Sequence, residues 1–160
     1  MTLAIRPLAL DDVETVAAVF NKPERLRQYV AEEAAGALAT FVAWDGDAFV
    51  GYVILRWRSQ WFADGIPEIQ DFNVVPARRR QGIGTALLDA AEACAATRSA
   101  VVGIGVGMTA NYGAAQIMYV KRGYVPDGRG LATHHRPVRY YGESVFVDDD
   151  LVLYFTRTLR

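Results

Sequence analysis

The chain has 160 residues, 52% hydrophobic and 22% charged, which is enough apolar material for one domain with a real core and excludes a disordered chain. Lys and Arg total 17 against 18 Asp and Glu, and this net charge of −1 excludes a general nucleic-acid binder, which carries a basic face at domain scale. A single cysteine, Cys94, excludes an internal disulfide framework and an all-cysteine metal site.

The opening "MTLAIRPLALDD" lacks the basic start and long apolar core of a signal peptide, and no run reaches membrane-spanning length, so a soluble cytoplasmic protein is expected. "TLAIRPL" predicts a first strand. "DDVETVAAVF" predicts an amphipathic helix capped by Asp11, with Glu14 at capping-box spacing and Val13, Val16, Ala17 and Phe20 on one face. Pro23 suits the first turn of a second helix, "PERLRQYVAEEAAGAL", with Leu26, Tyr29, Val30 and Ala34 inward. "TFVAW" and "AFVGYVILRW" flank Asp45-Gly46-Asp47 and predict a hairpin. An aromatic connector, "RSQWFADGIP", leads to the strand "EIQDFNVV". After a run of arginines, "IGTALLDAAEACAAT" predicts a helix whose stripe is Leu87, Leu88, Ala91, Cys94 and Ala95, which makes Cys94 a packing residue. "AVVGIGVGM" predicts a buried strand, "YGAAQIMYVKRG" a short helix and "LVLYFTRTL" a last strand. No linker or repeat interrupts this order, so residues 1–160 predict one α+β domain whose central strands alternate with helices.

The densest positive cluster, Arg78-Arg79-Arg80, falls at the start of a predicted helix, where unpaired backbone N–H groups already make the field positive. An anionic ligand would resolve that conflict. A strand, a tight turn and a helix opening on Gly82 and Gly84 form a phosphate-binding geometry, because glycine lets backbone N–H groups approach an anion closely. No Gly-Lys-Ser/Thr follows, so the turn is not a Walker loop, and the third glycine of the dinucleotide fingerprint is missing.

"VVPARRRQGIGTALL" resembles the acetyl-CoA motif of the GNAT superfamily of N-acetyltransferases, Arg/Gln-x-x-Gly-x-Gly/Ala, with Arg79-Arg80-Gln81-Gly82-Ile83-Gly84 as its core and Val74 and Pro76 at common family positions. The opening "IRPLALDD", the strand "VGYVIL" and the later "YVKRGY" resemble the family in the same order, with the likeness fading after Val125. The resemblance implies a mixed, largely antiparallel central sheet with helices on both faces, splayed at its central parallel strands. It implies that backbone amides from Arg80 through Gln81, Gly82, Ile83 and Gly84 to Thr85 hold the pyrophosphate of acetyl-CoA, the co-substrate, with Arg79 as a further phosphate contact. Phe72, Asn73 and Val74 match the stretch whose main chain bonds the pantetheine arm and polarises the thioester carbonyl. Asn111 resembles the asparagine that helps hold that arm, one residue further from Tyr119 than the common spacing.

Two further residues acquire catalytic roles by resemblance. Tyr119 in "YVKRGY" matches the family's Tyr-x-x-x-Gly-Phe/Tyr signature and becomes the general acid at the cofactor sulfur. Glu68, six residues before Val74, matches a glutamate base that acts through water in some members. A regular strand would put Glu68, Gln70, Phe72 and Val74 on one face and Asp71 on the other; a bulge would exchange the faces, and Asp71 is then the second candidate. Gly103, Gly105 and Gly107 leave one strand face bare, for close approach by a ligand or backbone, or for a bulky helix residue.

Acceptor contacts are expected from Tyr29, Trp57, Trp61 and Phe62, and from the segment "ATHHRPVRYYGESVFVDDD". His134 and His135 read as a loop pair without further ligands, so no metal site is expected, and Asp148–Asp150 reads as a solvated turn. Two functions remain at this level: an acetyl-CoA-dependent transferase acting on a small or protein amine, or a module that senses acyl-CoA without turnover. Homodimers are common among family members, though no residue here specifies an interface.

Overall fold

The structure, a computed structural model, describes residues 1–160. In chain order its elements are β1 (Leu3–Arg6), α1 (Val13–Phe20), α2 (Pro23–Ala34), β2 (Leu38–Asp45), β3 (Ala48–Arg56), β4 (Glu68–Val74), α3 (Ile83–Ala96), β5 (Val101–Gly107), α4 (Gly113–Lys121), β6 (Val125–Thr133), β7 (Arg136–Pro137) and β8 (Leu151–Thr158). The eight strands form one sheet in the order β1-β2-β3-β4-β5-β8-β6-β7, in which only β4 and β5 run parallel. None of the helices is long and apolar enough to cross a membrane.

Strand alternation explains the layers. In β2, Leu38, Val42 and Trp44 pack toward α1 and α2 with Val13, Val16, Leu26 and Tyr29. Ala39, Phe41 and Ala43 pack on the other face with Leu87, Leu88 and Ala91 of α3 and with Tyr119 of α4. Both faces of the sheet centre are therefore covered, which accounts for the near-continuous apolar run of β3. The Asp45-Gly46-Asp47 hairpin forms as its sequence predicts, with Asp45 paired to Ala48 and Gly46 at φ +58°.

Some boundaries differ from the sequence reading. Asp12, rather than Asp11, organises the entry to α1: it accepts the Ala9 amide at 2.8 Å and both terminal nitrogens of Arg6 at 2.6 and 2.7 Å. A short 3-10 turn over Leu10–Asp12 moves the helix start to Val13, which displaces the predicted cap. Helix α2 stops at Ala34 because Gly36, at φ +78°, reverses the chain so that Leu38 can enter the core; Ala34 itself is exposed. Strands β6 and β7 carry no alternating signal. Pro126, Gly128 and Gly130 interrupt it, and β6 pairs with β8 at Val125–Pro126 and again at Leu131–Thr133, with an irregularity between.

Glycine has a packing reason at Gly51. A β-carbon there would lie 2.7 Å from the Asn73 carbonyl oxygen and 3.2 Å from both Val74 Cα and Leu87 Cδ1. The nearest obstacle is backbone, which cannot rotate away. Gly51→Ala is expected to lower unfolding free energy by about 1–3 kcal/mol, as overpacking does, and chemical denaturation would measure it. An unchanged denaturation midpoint would show that β3 and β4 separate there at no cost.

Candidate active site

The turn before α3 is built from unpaired amides. Arg79 N–H donates to Pro76, and the next inward bond runs from Ala86 N–H to the Gly82 carbonyl; the amides from Arg80 to Thr85 take no backbone acceptor. Gly82 caps the helix at φ +83°, no side chain caps it, and its first turn holds no acidic residue. Arg80 is also left-handed, at φ +63°. The three arginines have different surroundings. Arg78 pairs with Asp45 at 2.5 Å, and Arg79 Nε reaches the Val74 carbonyl at 3.3 Å. Arg80 is exposed. The arrangement can take an oxyanion on main-chain donors, with Arg79 and Arg80 at its rim.

This turn adjoins the place where the sheet opens. β4 and β5 pair only at Glu68–Gly103 and Ile69–Ile104, so the β4 edge from Gln70 to Val74 has no strand beside it. A β-carbon at Gly84 would lie 3.1 Å from the Phe72 ring and 3.7 Å from Val74, which puts the anion turn against that unpaired edge. The splay expected of the central parallel strands is present.

A bulge sets the faces of β4. Tyr52 pairs with Asn73 and Ile54 with Gln70, so β4 carries one more residue than β3 between these pairs. Asp71 occupies the bulge at φ +47°. The regular alternation assumed from sequence is corrected accordingly: Phe72 and Val74 pack toward α3 with Ile69, while Glu68 and Gln70 lie on the opposite face, the one toward which Asp71 turns. Its carboxylate accepts Lys22 Nζ at 2.6 Å and Asn73 Nδ2 at 2.8 Å on Oδ1, and the hydroxyls of Tyr52 at 2.7 Å and Tyr29 at 3.0 Å on Oδ2. Those four donors fill its acceptor sites. Burial pushes this carboxyl up, but Lys22 and the Tyr52 hydroxyl outweigh it and hold Asp71 below the ordinary range.

Glu68 has the opposite balance. It is 3% exposed, and burial pushes its carboxyl above the ordinary range, only partly offset by hydrogen bonds from Ser59 and Gln70. The Ser59 hydroxyl donates to Glu68 Oε2 at 2.5 Å. A buried carboxylate with a raised pKa is the better proton acceptor of the two; Asp71, saturated and held low, is poorly suited to that task.

Tyr119 lies on α4, 4% exposed, with its ring 5.8 Å from that of Tyr124. Burial is the one cause that pushes its phenol up. Asn111 is exposed in the 3-10 turn just before α4, where Thr109 donates to its side-chain oxygen. The glycine face of β5 is occupied by aromatic rings. Phe62 covers Gly103, Tyr154 lies against Gly105 and Tyr112 covers Gly107. These rings come from a connector, a strand and a 3-10 turn rather than from an α-helix.

The four predicted acceptor contacts do not converge. Tyr29 points into the Asp71 cluster. Trp57 packs on the α3 side of the sheet beneath the Arg98 guanidinium, 4.0 Å from its ring centre. Trp61 and Phe62 are buried in a cluster of their own: Trp61 stacks on Tyr154 at 4.5 Å, its Nε1 donates to Asp127 at 2.6 Å, and Arg129 lies 4.1 Å over the ring. Sequence reasoning passed over Lys22, Tyr52 and Ser59. Only Tyr52 carried a signal, as a phenol in the buried alternation of β3. A separate groove of about 360 Å³ at the β1 edge, beside Arg6, Asp12 and Trp44, holds none of these residues.

Residues 36–126 match the family model described as an acetyltransferase (GNAT) domain. No curated protein matches the chain. Among solved structures, a GNAT-family protein from Desulfovibrio desulfuricans superposes with a TM-score of 0.76 at 16% identity, over 99% of this chain and 100% of the other. yncA from Salmonella typhimurium, solved with its cofactor acetyl-CoA, gives 0.70 at 16% identity over 100% and 95%. The PaiA N-acetyltransferase from Thermoplasma acidophilum, solved with coenzyme A, gives 0.70 at 15% identity over 96% and 98%.

Proposed function

The chain belongs to the GNAT acetyltransferase family, and from that premise we propose that it moves an acetyl group from acetyl-CoA to a primary amine, on a small molecule or an exposed protein site, by direct attack in a ternary complex. The observation that carries this reading is the row of unbonded amides from Arg80 to Thr85, set against the unpaired edge of β4. The donor set suits a pyrophosphate at the turn, and the β4 edge suits an amide-bearing arm that adds to it as a short strand. Residues 1–160 act, on this reading, as one cytoplasmic acetyltransferase domain.

Acetyl-CoA supplies an acetyl group activated as a thioester. Amides from Arg80 to Thr85, with Arg79, bind its phosphates; Phe72, Asn73 and Val74 orient the arm, and one of their amides polarises the thioester carbonyl. Asn111 holds the arm from the β5 side. Glu68 accepts the proton that the acceptor nitrogen gives up, directly or through water, and Tyr119 gives a proton to the departing sulfur. Of the four predicted acceptor contacts, Tyr29 beside Asp71, and Trp61 and Phe62 through the cluster they build beside Ser59, shape the acceptor side, whereas Trp57 on the α3 face takes no part in it.

Two measurements test the reading. Gly84→Val drives branched methyl groups toward Phe72 and the turn amides, and affinity for a hydrolysis-resistant CoA thioether should fall about tenfold or more by titration calorimetry, equivalent to about 1.4 kcal/mol. Arg139→Ala, on an exposed segment, should leave affinity unchanged. Equal affinity in a folded Gly84→Val protein removes the turn from the binding site. CoA release with a panel of amines separates turnover from sensing: binding with no release for any amine would make the chain an acyl-CoA sensor.

A further inference from the structure

We propose that Ser59 is the positioning residue for Glu68, fixing its Oε1 as the atom that takes the proton. The proposal rests on the reading of Glu68 as the base. The connector between β3 and β4 folds back at Ser59, and there the hydroxyl oxygen accepts the amides of Trp61 at 2.9 Å and Phe62 at 3.0 Å. A hydroxyl has two lone pairs and one proton. Both lone pairs are thus committed, and the single proton is left for Glu68 Oε2, 2.5 Å away.

That count makes the contact one-directional. Ser59 has no free lone pair with which to turn round and accept from Oε2, so a proton on Oε2 has only the one site that Ser59 leaves open. Oε1, which takes no bond from Ser59, is the favoured receiving atom. As the acceptor nitrogen gives up its proton, the N–H bond breaks with its electron pair kept on nitrogen. The proton, relayed by water where one intervenes, forms an O–H bond at Oε1. The product is a neutral carboxyl whose Oε2 still accepts from Ser59.

Ser59 cannot drift away from this task. Its two amide donors belong to Trp61 and Phe62; one ring is stacked on Tyr154 and tied to Asp127, and the other covers Gly103, the β5 partner of Glu68. None of the other groups facing Glu68 bonds to the Ser59 hydroxyl. They are Arg56 of β3, paired with Glu32 at 2.8 Å, Gln70 two residues on in the same strand, His135 of the β6–β7 turn and Tyr154 of β8, on which the Asp127–Arg129 pair acts in turn. Among these, Ser59 is the strongest of the groups that favour the ionised form, and losing it leaves burial less opposed.

The test is the pH dependence of kcat/KM for four proteins. Ser59→Ala should move the acid limb to higher pH by about one unit, with the rate recovering at alkaline pH. Ser59→Thr keeps the hydroxyl and should retain the parent limb. Ser59→Cys keeps the shape with a weaker donor and should shift the limb the same way by less; it serves in place of alanine if that variant does not fold. Glu68→Gln should remove the limb that belongs to Glu68 and leave only the alkaline rise set by the free amine. Superimposable profiles for parent, Ser59→Ala and Ser59→Cys, with the limb still lost in Glu68→Gln, would overturn the role of Ser59 and leave Glu68 as the base. A parent limb that survives at the same pH in Glu68→Gln would overturn the base itself, and the Ser59 assignment with it.

Discussion

Tyr119→Phe is expected to slow single-turnover acetyl transfer by about a hundred- to ten-thousand-fold, the usual range for a general acid, while acetyl-CoA affinity and melting temperature barely change. Phenylalanine keeps the ring that packs among Leu87, Ala91 and Tyr124, so the core loses no apolar volume. The hydroxyl is the only group removed. Burial pushes its pKa up, which keeps it protonated through neutral pH and available to a departing thiolate. The sign is fixed by the neutral form: the fold favours the protonated phenol, so the acid is lost only on the alkaline side of an ordinary tyrosine. Rapid-quench measurement of acetyl transfer, beside calorimetry and thermal melting, separates chemistry from binding. Normal transfer in Tyr119→Phe would remove the acid role, and a collapse in melting temperature would show that the hydroxyl is structural.

Glu68→Gln should cost a similar factor near neutral pH, about a hundredfold or more, and the loss should shrink as alkaline pH supplies neutral amine without help. Its stability effect has the opposite sign. Burial raises the folded-state pKa of Glu68, so this group's contribution to stability is greatest at low pH and declines as pH rises through the ordinary glutamate value toward the raised one. An uncharged glutamine escapes that penalty, and its side-chain oxygen still accepts from Ser59. The variant should therefore melt no lower than the parent at pH 7. An unchanged pH–rate profile with a competent amine would make Glu68 structural. Asp71 is a poor replacement, because Lys22, Asn73, Tyr29 and Tyr52 already fill its acceptor sites.

The elements most visible in the sequence were those whose periodicity and punctuation agree. α3, with its glycine start and apolar stripe, and the β2–β3 hairpin appear as their residues imply. The Arg79–Gly84 turn was visible because its charge contradicts its position in a helix. What stayed hidden depends on contacts between distant segments. The bulge at Asp71 is held by Lys22, Tyr29 and Tyr52, 49, 42 and 19 residues away, so β4 alone carries no mark of it. The glycines of β5 announced a close approach, but the rings that fill it come from three separate segments. Strand β6 was missed because its pairing with β8 is broken by glycines that read as a loop.

The place of β8 in the sheet has a consequence for how the chain acquires its structure. Residues 151–158 lie between β5 and β6, so each of those strands has one open edge until synthesis has passed Thr158. β1 to β4 with α1 and α2 can assemble from nearby sequence as the chain emerges. β5 and β6 must wait, with their strand edges exposed to other chains. Closing β5 onto β8 then ties segments about fifty residues apart, a slow type of pairing because loop entropy is lost before the contacts form. A nascent chain stalled between α4 and β8 would thus carry a finished N-terminal half beside an adhesive, half-built sheet, the state in which this protein is most open to aggregation and most in need of a chaperone.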